Sequence, residues 1–275
     1  MEVVDFSDGS HTQYQEQWPG EQRTGEGKPT LVQDIPDLNG TFIEDYIQVQ
    51  KFWTKRKWNE ILSGSPPIEL RHIFPTYLAN GVYVPPLNRI MLSAAIMLTP
   101  TFAYGAPPEV NYGALGRFVT HELMHGYDTL GRNYDGAGKL KPWFTNESIA
   151  EYDKIVRCHN ETIEKAPKAR AYADYPQEYL ADTMGTTSLL RAYQKASEKS
   201  HVTLTNVKGL TKDKTFYISW CLLWCGKEFP DPTPRTHPPS DERCNVPLMN
   251  SQHFSETFSC PKDSPMNPSH KCVFW

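Results

Sequence analysis

Two histidines four residues apart, with a glutamate beside the first, stand at His121-Glu122-Leu123-Met124-His125. On an α-helix, positions i and i+4 lie one turn apart with side chains roughly 5 to 6 Å from each other, so two neutral imidazoles can meet one cation. Glu122 then faces a water on that cation and can take its proton. The bland alternative is a surface helix with two solvated histidines. A catalytic zinc takes three protein ligands and keeps a fourth position open, so a third ligand is required downstream. Glu178, which opens Glu178-Tyr-Leu-Ala-Asp182, is the best candidate, and it shares a helix face with Asp182.

The elements that must position these groups follow from local patterns. Asn111 to Gly116 read as a loop or the start of a helix, in which Leu115, Phe118, Val119 and Leu123 supply apolar residues near helical spacing. Gly126 permits that helix to end soon after His125. From Pro176 to about Lys195, Leu180, Ala181, Met184, Leu189 and Leu190 suit a buried helix with proline in its first turn. Leu78 to Val84 and Arg89 to Leu98 read as two strands separated by the turn Pro85-Pro-Leu-Asn88. Their exposed edge can pair with an extended peptide. Helical stretches from Phe42 to Leu62 and Lys214 to Lys227 are expected to pack around this centre. The result is an α+β fold, mostly helical, with a small mixed sheet beside the ligand-bearing helices.

The chain resembles the neprilysin and endothelin-converting enzyme metallopeptidases, from about Phe42 to Trp275. The motifs that carry the likeness are His121-Glu-Leu-Met-His-Gly-Tyr-Asp128, Gly131-Arg-Asn-Tyr-Asp135, Asn80-Gly-Val-Tyr83, Ser255-Glu-Thr-Phe-Ser-Cys260 and Cys272-Val-Phe-Trp275. The resemblance implies a thermolysin-like (gluzincin) catalytic lobe. It implies one zinc ion on His121, His125 and Glu178, with Glu122 as general base, Asp182 and Asp128 as acceptors of hydrogen bonds from the ligating imidazoles, and His237 stabilising the oxyanion. Arg243 would bind a substrate carbonyl or orient Asp182 through its planar fork. Asn80 and Gly81 would bind the substrate backbone. Without the resemblance, Asp182 and Asp128 read equally as capping or solvated acids, Asn80 as a strand-end asparagine, and His237 as part of the proline-rich loop Asp231-Pro-Thr-Pro-Arg-Thr-His-Pro-Pro-Ser240. Three departures from the family pattern stand near the site. Gly81 replaces the usual alanine, Thr129 stands where a second aspartate is common, and Gln177 precedes Glu178 where the family has glycine.

Composition bounds the rest. The 275 residues, 39% of them hydrophobic, can bury a real core as one or two domains, with residues 1–36 expected as a flexible polar tail and 37–275 as the catalytic domain. A formal net charge of −4 gives no basic field for nucleic acid, and no stretch approaches the roughly 18 consecutive apolar residues of a membrane span. The tail lacks the apolar core of a signal peptide. Six cysteines and sequons at Asn39, Asn146 and Asn160 point the other way, to an oxidising extracellular or cell-surface route. The resemblance reconciles the two, because family members are usually longer, with a membrane anchor and an N-terminal ectodomain portion that have no counterpart here. It also implies a Cys158–Cys272 bridge, and partners for Cys225 and Cys260 outside this chain. Cys221 and Cys244 have no recognised counterpart and can pair with Cys225 and Cys260, so the pairing of all four stays open.

Three functions remain in play. The first is a zinc endopeptidase acting on short extracellular peptides. The second is a non-catalytic relic that binds zinc and peptides or partners without turnover, since the family's lid over the cleft derives from segments with no counterpart here. The third is a zinc-stabilised structural protein, disfavoured because two histidines and a carboxylate leave an open coordination position.

Overall fold

The computed structural model describes residues 37–63, 77–164, 175–202, 209–226 and 237–274. The expected tail, 1–36, lies outside them, as do 231–236 of the proline-rich stretch. The described residues fall into two compact units, those within Ser10–Phe74 and those within Pro75–Trp275. Among the described residues, the first contains one helix, α1 (Phe42–Leu62). Its start is set by a reciprocal cap, in which the Thr41 N–H donates to Glu44 Oε2 at 2.8 Å and the Glu44 N–H reaches back to Thr41 Oγ1. This helix therefore belongs to its own unit, not to the one holding the expected ligands.

In the second unit, β1 (Gly81–Val84) pairs antiparallel with β2 (Arg89–Leu92), Gly81 opposite Leu92 and Val84 opposite Arg89. The sheet is thus a two-stranded hairpin and not mixed. Its turn is a 3-10 segment, Pro85–Leu87, closed by Asn88 in the left-handed region (φ 45°). An asparagine tolerates that conformation, and its side chain secures it by accepting from the Tyr83 hydroxyl at 2.9 Å and donating to the Gly136 carbonyl at 3.0 Å. The second strand stops at Leu92 instead of running to Leu98. Ser93 ends it, its Oγ accepting the Ile96 N–H at 3.2 Å and turning Ala95–Met97 into a 3-10 segment.

A continuous helical run then carries the histidines. It begins with α2 (Pro108–Asn111), passes through a π-helical turn at Tyr112–Gly116, and continues as α3 (Arg117–Met124), so of the two readings of Asn111 to Gly116, loop or helix entry, the helical one holds. Gly113 allows this because a Cβ there would collide with the Phe216 carbonyl and lie 2.7 Å from Ser219 Cβ. The anticipated apolar stripe is only partly the buried face of α3. Leu115 is buried, but Phe118, Val119 and Leu123 are half-buried, and the enclosed positions are Arg117, His121, Glu122 and Met124. Helices α5 and α6 and the hairpin surround α3, so its polar face is an interior face.

The remaining helices are α4 (Asn146–Glu164), α5 (Pro176–Met184), α6 (Thr186–Lys199), α7 (Lys212–Leu222), α8 (Ser240–Met249) and α9 (Gln252–Thr257). The single helix expected from Pro176 to Lys195 is two, broken at Gly185. A Cβ at Gly185 would overlap Thr120 Cγ2 and stand 3.1 Å from Met124 Cγ, so this glycine is where α5 meets α3. One core cluster joins Tyr112, Leu189, Tyr193, Phe216, Tyr217, Trp220 and Leu248, with the Tyr193 and Phe216 rings stacked at 4.5 Å. Another gathers Met124, Tyr152, Leu180, Ala181, Met184 and Phe274. Disulfides join Cys158 to Cys272 and Cys221 to Cys244, leaving Cys225 and Cys260 as free thiols. No helix among the described residues is long and apolar enough to cross a membrane.

Candidate active site

His121 and His125 project from the end of α3 with ring centroids 4.6 Å apart and their Nε2 atoms 3.0 Å apart. Glu178, in the first turn of α5, brings Oε2 to 3.3 Å from His121 Nε2 and Oε1 to 3.7 Å from His125 Nε2. One ligand atom from each of the three residues falls within 4.8 Å of the other two. A second group among the described residues, Cys158, His270 and Cys272, is closed to a metal because its two sulfurs are bonded to each other.

A carboxylate fixes each imidazole from behind. Asp182 Oδ1 lies 2.8 Å from His121 Nδ1, and Asp128 Oδ2 lies 2.8 Å from His125 Nδ1. An ionised carboxylate only accepts, so both Nδ1 atoms donate, and in the neutral tautomer each Nε2 keeps a lone pair facing the other. Asp128 is itself held by the N–H groups of Leu130 and Gly131 at 2.8 and 2.7 Å. Glu178 Oε2 is buried and has no hydrogen-bond donor in place. With both rings neutral, two nitrogen lone pairs and this carboxylate oxygen share one small volume, a place for a cation or, in the metal-free chain, for a proton on His121. This two-nitrogen, one-oxygen donor set fits zinc.

The charges around this centre are shared between neighbours. Burial alone would raise the Asp182 carboxyl, but Arg243, Arg117 and His121 outweigh it and hold Asp182 well below the usual carboxylate range. Burial likewise opposes a charge on His121, yet the Asp182 carboxylate, with Glu178, lifts its pKa to about 8. Glu122 is buried beneath β1, and this desolvation raises its pKa, only partly countered by His121 and His125. The Tyr83 backbone N–H steadies its carboxylate. A Cβ at Gly81 would stand 2.9 Å from Glu122 Cγ and 3.1 Å from its Oε1, so the missing methyl leaves room for this side chain.

Other expected residues fall at the rim or behind. His237, half-exposed, places Nε2 at 3.3 Å from Glu178 Oε2, and burial of its inner side lowers its pKa. Arg243 is buried and grips Asp182 with both arms of its fork, Nε to Oδ2 at 2.8 Å and Nη2 to Oδ1 at 3.0 Å. Of the two expected roles for Arg243, orienting Asp182 is the one this geometry displays. Asn80 sits where β1 begins; its Oδ1 accepts the Gly81 N–H at 3.0 Å and its backbone carbonyl accepts the Ser93 N–H at 3.1 Å.

Sequence reasoning missed Arg117. Its Nη2 donates to Asp182 Oδ1 at 3.0 Å and to the Arg243 carbonyl at 2.9 Å. It also missed Trp224, over whose ring both guanidiniums lie, Arg117 at 4.7 Å and Arg243 at 4.5 Å from the centroid. One signal was present: Arg117 precedes His121 by four positions and so shares its helix face.

Comparisons with known proteins identify the family of the chain and the likeness of its fold. The model of peptidase family M13 matches residues 80–274. Endothelin-converting enzyme 1 of Homo sapiens is 34% identical over 274 residues, covering 90% of this chain and 34% of that protein. Neprilysin-1 of Caenorhabditis elegans is 31% identical over 211 residues, covering 72% of this chain and 28% of that protein. The chain thus spans about a third of the length of these relatives. Among solved structures, the Mycobacterium tuberculosis zinc metalloprotease ZMP1 in complex with inhibitor superposes with a TM-score of 0.64 at 25% identity, over 82% of this chain and 36% of that one. The Haemonchus galactose containing glycoprotein complex superposes with a TM-score of 0.68 at 20% identity, over 89% of this chain and 40% of that one, a likeness of fold alone.

Proposed function

The chain belongs to peptidase family M13, and from that premise we propose that it is a zinc-dependent endopeptidase for short extracellular peptides. Its catalytic domain lies within 37–275, and His121, His125 and Glu178 hold one ion. The observation that carries this reading is the convergence of two imidazole lone pairs and an orphaned carboxylate oxygen, each ring being held from behind by its own aspartate.

When bound, the ion supplies Lewis-acid chemistry, acidifying a water and polarising a peptide carbonyl. The chain's own groups do the rest. Glu122 accepts the proton of the attacking water on its carboxylate and passes it to the departing amine nitrogen, work suited to a carboxylate whose basicity is raised by burial. Asp182 and Asp128 keep the Nδ1 protons in place and the rings aimed. His237 donates a ring N–H to the oxyanion, an interaction worth roughly 3 to 4 kcal/mol when fully pre-organised, less for a half-exposed ring. The substrate lies along the β1 edge as an added strand, where Asn80 and Gly81 meet its main chain and Arg243 faces it from behind Glu178. An extracellular or cell-surface setting is supported by the two disulfides and by the exposed sequon asparagines Asn39 and Asn146.

The test uses the 275-residue chain with added zinc, a panel of quenched short peptides, and the Glu122→Gln variant. We expect zinc-dependent cleavage that falls by at least about a hundredfold in the variant. Equal cleavage by both would refute the base. Zinc-dependent peptide binding without cleavage by either would favour the non-catalytic alternative.

A further inference from the structure

Arg117 lies one turn before His121 on α3 and is 3% exposed, so its charge is committed to the interior. One amino group, Nη2, spends its two hydrogens on two acceptors from different helices, Asp182 Oδ1 on α5 and the Arg243 carbonyl on α8. Asp182 Oδ1 thereby accepts from three donors, His121 Nδ1, Arg117 Nη2 and Arg243 Nη2, while Oδ2 takes Arg243 Nε. With both oxygens held, the carboxylate is locked against rotation. The flat guanidinium is itself fixed over the indoles of Trp220 and Trp224, 5.3 and 4.7 Å from their centroids. Burial and the neighbouring Arg243 lower its pKa, but only to about 10, so Arg117 remains charged at neutral pH.

We propose that Arg117 is a positioning residue of the metal centre, clamping Asp182 and the Arg243 main chain together so that the His121 ring is held at the angle its ligand role requires. The inference rests on the reading that His121, His125 and Glu178 bind zinc. Arg117 makes its hydrogen bonds to Asp182 and the Arg243 carbonyl, not to any of the three, and acts through Asp182. Lysine keeps the charge but has no planar guanidinium to lie over the two indoles and aim both bonds of one nitrogen, so Arg117→Lys isolates geometry from electrostatics.

The experiment measures zinc affinity of the full chain by chelator competition, thermal stability of the metal-free form, and the imidazole Nδ1–H resonances of 15N-histidine-labelled protein. The expected result for Arg117→Lys is a metal-free fold that persists, zinc binding at least about tenfold weaker, and a displaced His121 Nδ1–H signal beside an unmoved His125 signal, since Asp128 is independent of Arg117. Zinc affinity within twofold of the parent, or equal displacement of both signals, would overturn the proposal. Arg117→Gln is the second variant; collapse of the metal-free fold in both would also overturn it, by making Arg117 a structural residue only. A parent chain that binds no zinc would instead overturn the proposed function.

Discussion

Glu178 and His121 stand 57 positions apart in the chain, yet Glu178 Oε2 and His121 Nε2 are 3.3 Å apart, each buried and each with its other face already engaged or closed. The two helices thus shape a site where a divalent cation can take the place of the proton that His121 otherwise keeps up to about pH 8.

Zinc is therefore expected to stabilise the fold. At free zinc a hundredfold above the dissociation constant, linkage adds about 2.7 kcal/mol, provided the unfolded chain does not bind the metal. Thermal melts with zinc and with chelator should differ for the parent chain. The difference should shrink sharply in Glu178→Gln, and a shift of equal size in that variant would remove Glu178 from the ligand set.

Gly185→Ala should destabilise the chain by about 1–3 kcal/mol, because the added methyl overlaps Thr120 Cγ2 where α5 crosses α3. Thr120→Ser deletes that methyl and should recover most of the loss in the double variant. Urea titrations read both. Independent, additive effects would mean that the two side chains do not meet.

His159 supplies a pH signature. Its ring is fully buried, with Nε2 2.8 Å from Thr183 Oγ1 on α5, and burial lowers its pKa from 6.5 to about 4, Asp182 opposing only slightly. Between about pH 4 and 6.5 the unfolded chain binds more protons than the folded one. This residue's stabilisation is thus complete above about 6.5 and is lost as pH falls through the window, by at most about 3 kcal/mol. Unfolding free energies of His159→Gln should show a correspondingly shallower slope than the parent between pH 4 and 6.5. Parallel slopes would show that His159 titrates normally.

The two disulfides close loops of different length, 114 and 23 residues of separation. In the chain-entropy model they contribute about 5 and about 3 kcal/mol. Replacing Cys158 and Cys272 together by serine should lower the urea midpoint more than replacing Cys221 and Cys244. The reverse order would point to enthalpic control.

Much of the site was legible in one dimension because helical periodicity is local. A four-residue interval puts His121 and His125 on one face whatever surrounds them, and the same interval pairs Glu178 with Asp182. The hairpin was also readable from its Pro-Pro-Leu-Asn turn, although the end of its second strand depended on whether Ser93 would bond to the turn that follows.

What the amino-acid order determined by itself was thus the grouping of donors on individual helices, and the resemblance joined those groups into one candidate centre. Tertiary structure decided which buried charges neutralise which. Arg117 reads as an ordinary surface arginine until α5 and α8 bring Asp182 and the Arg243 carbonyl to its Nη2. Likewise Gly185 reads as a tolerable helical glycine until Thr120 packs against it, and Cys221 had several partners open to it until α7 and α8 met. The physical reason is that periodicity records only neighbours within a turn or two. The desolvation of a charge, or the room for a methyl, depends on atoms from distant parts of the chain that folding alone brings within 3 to 4 Å.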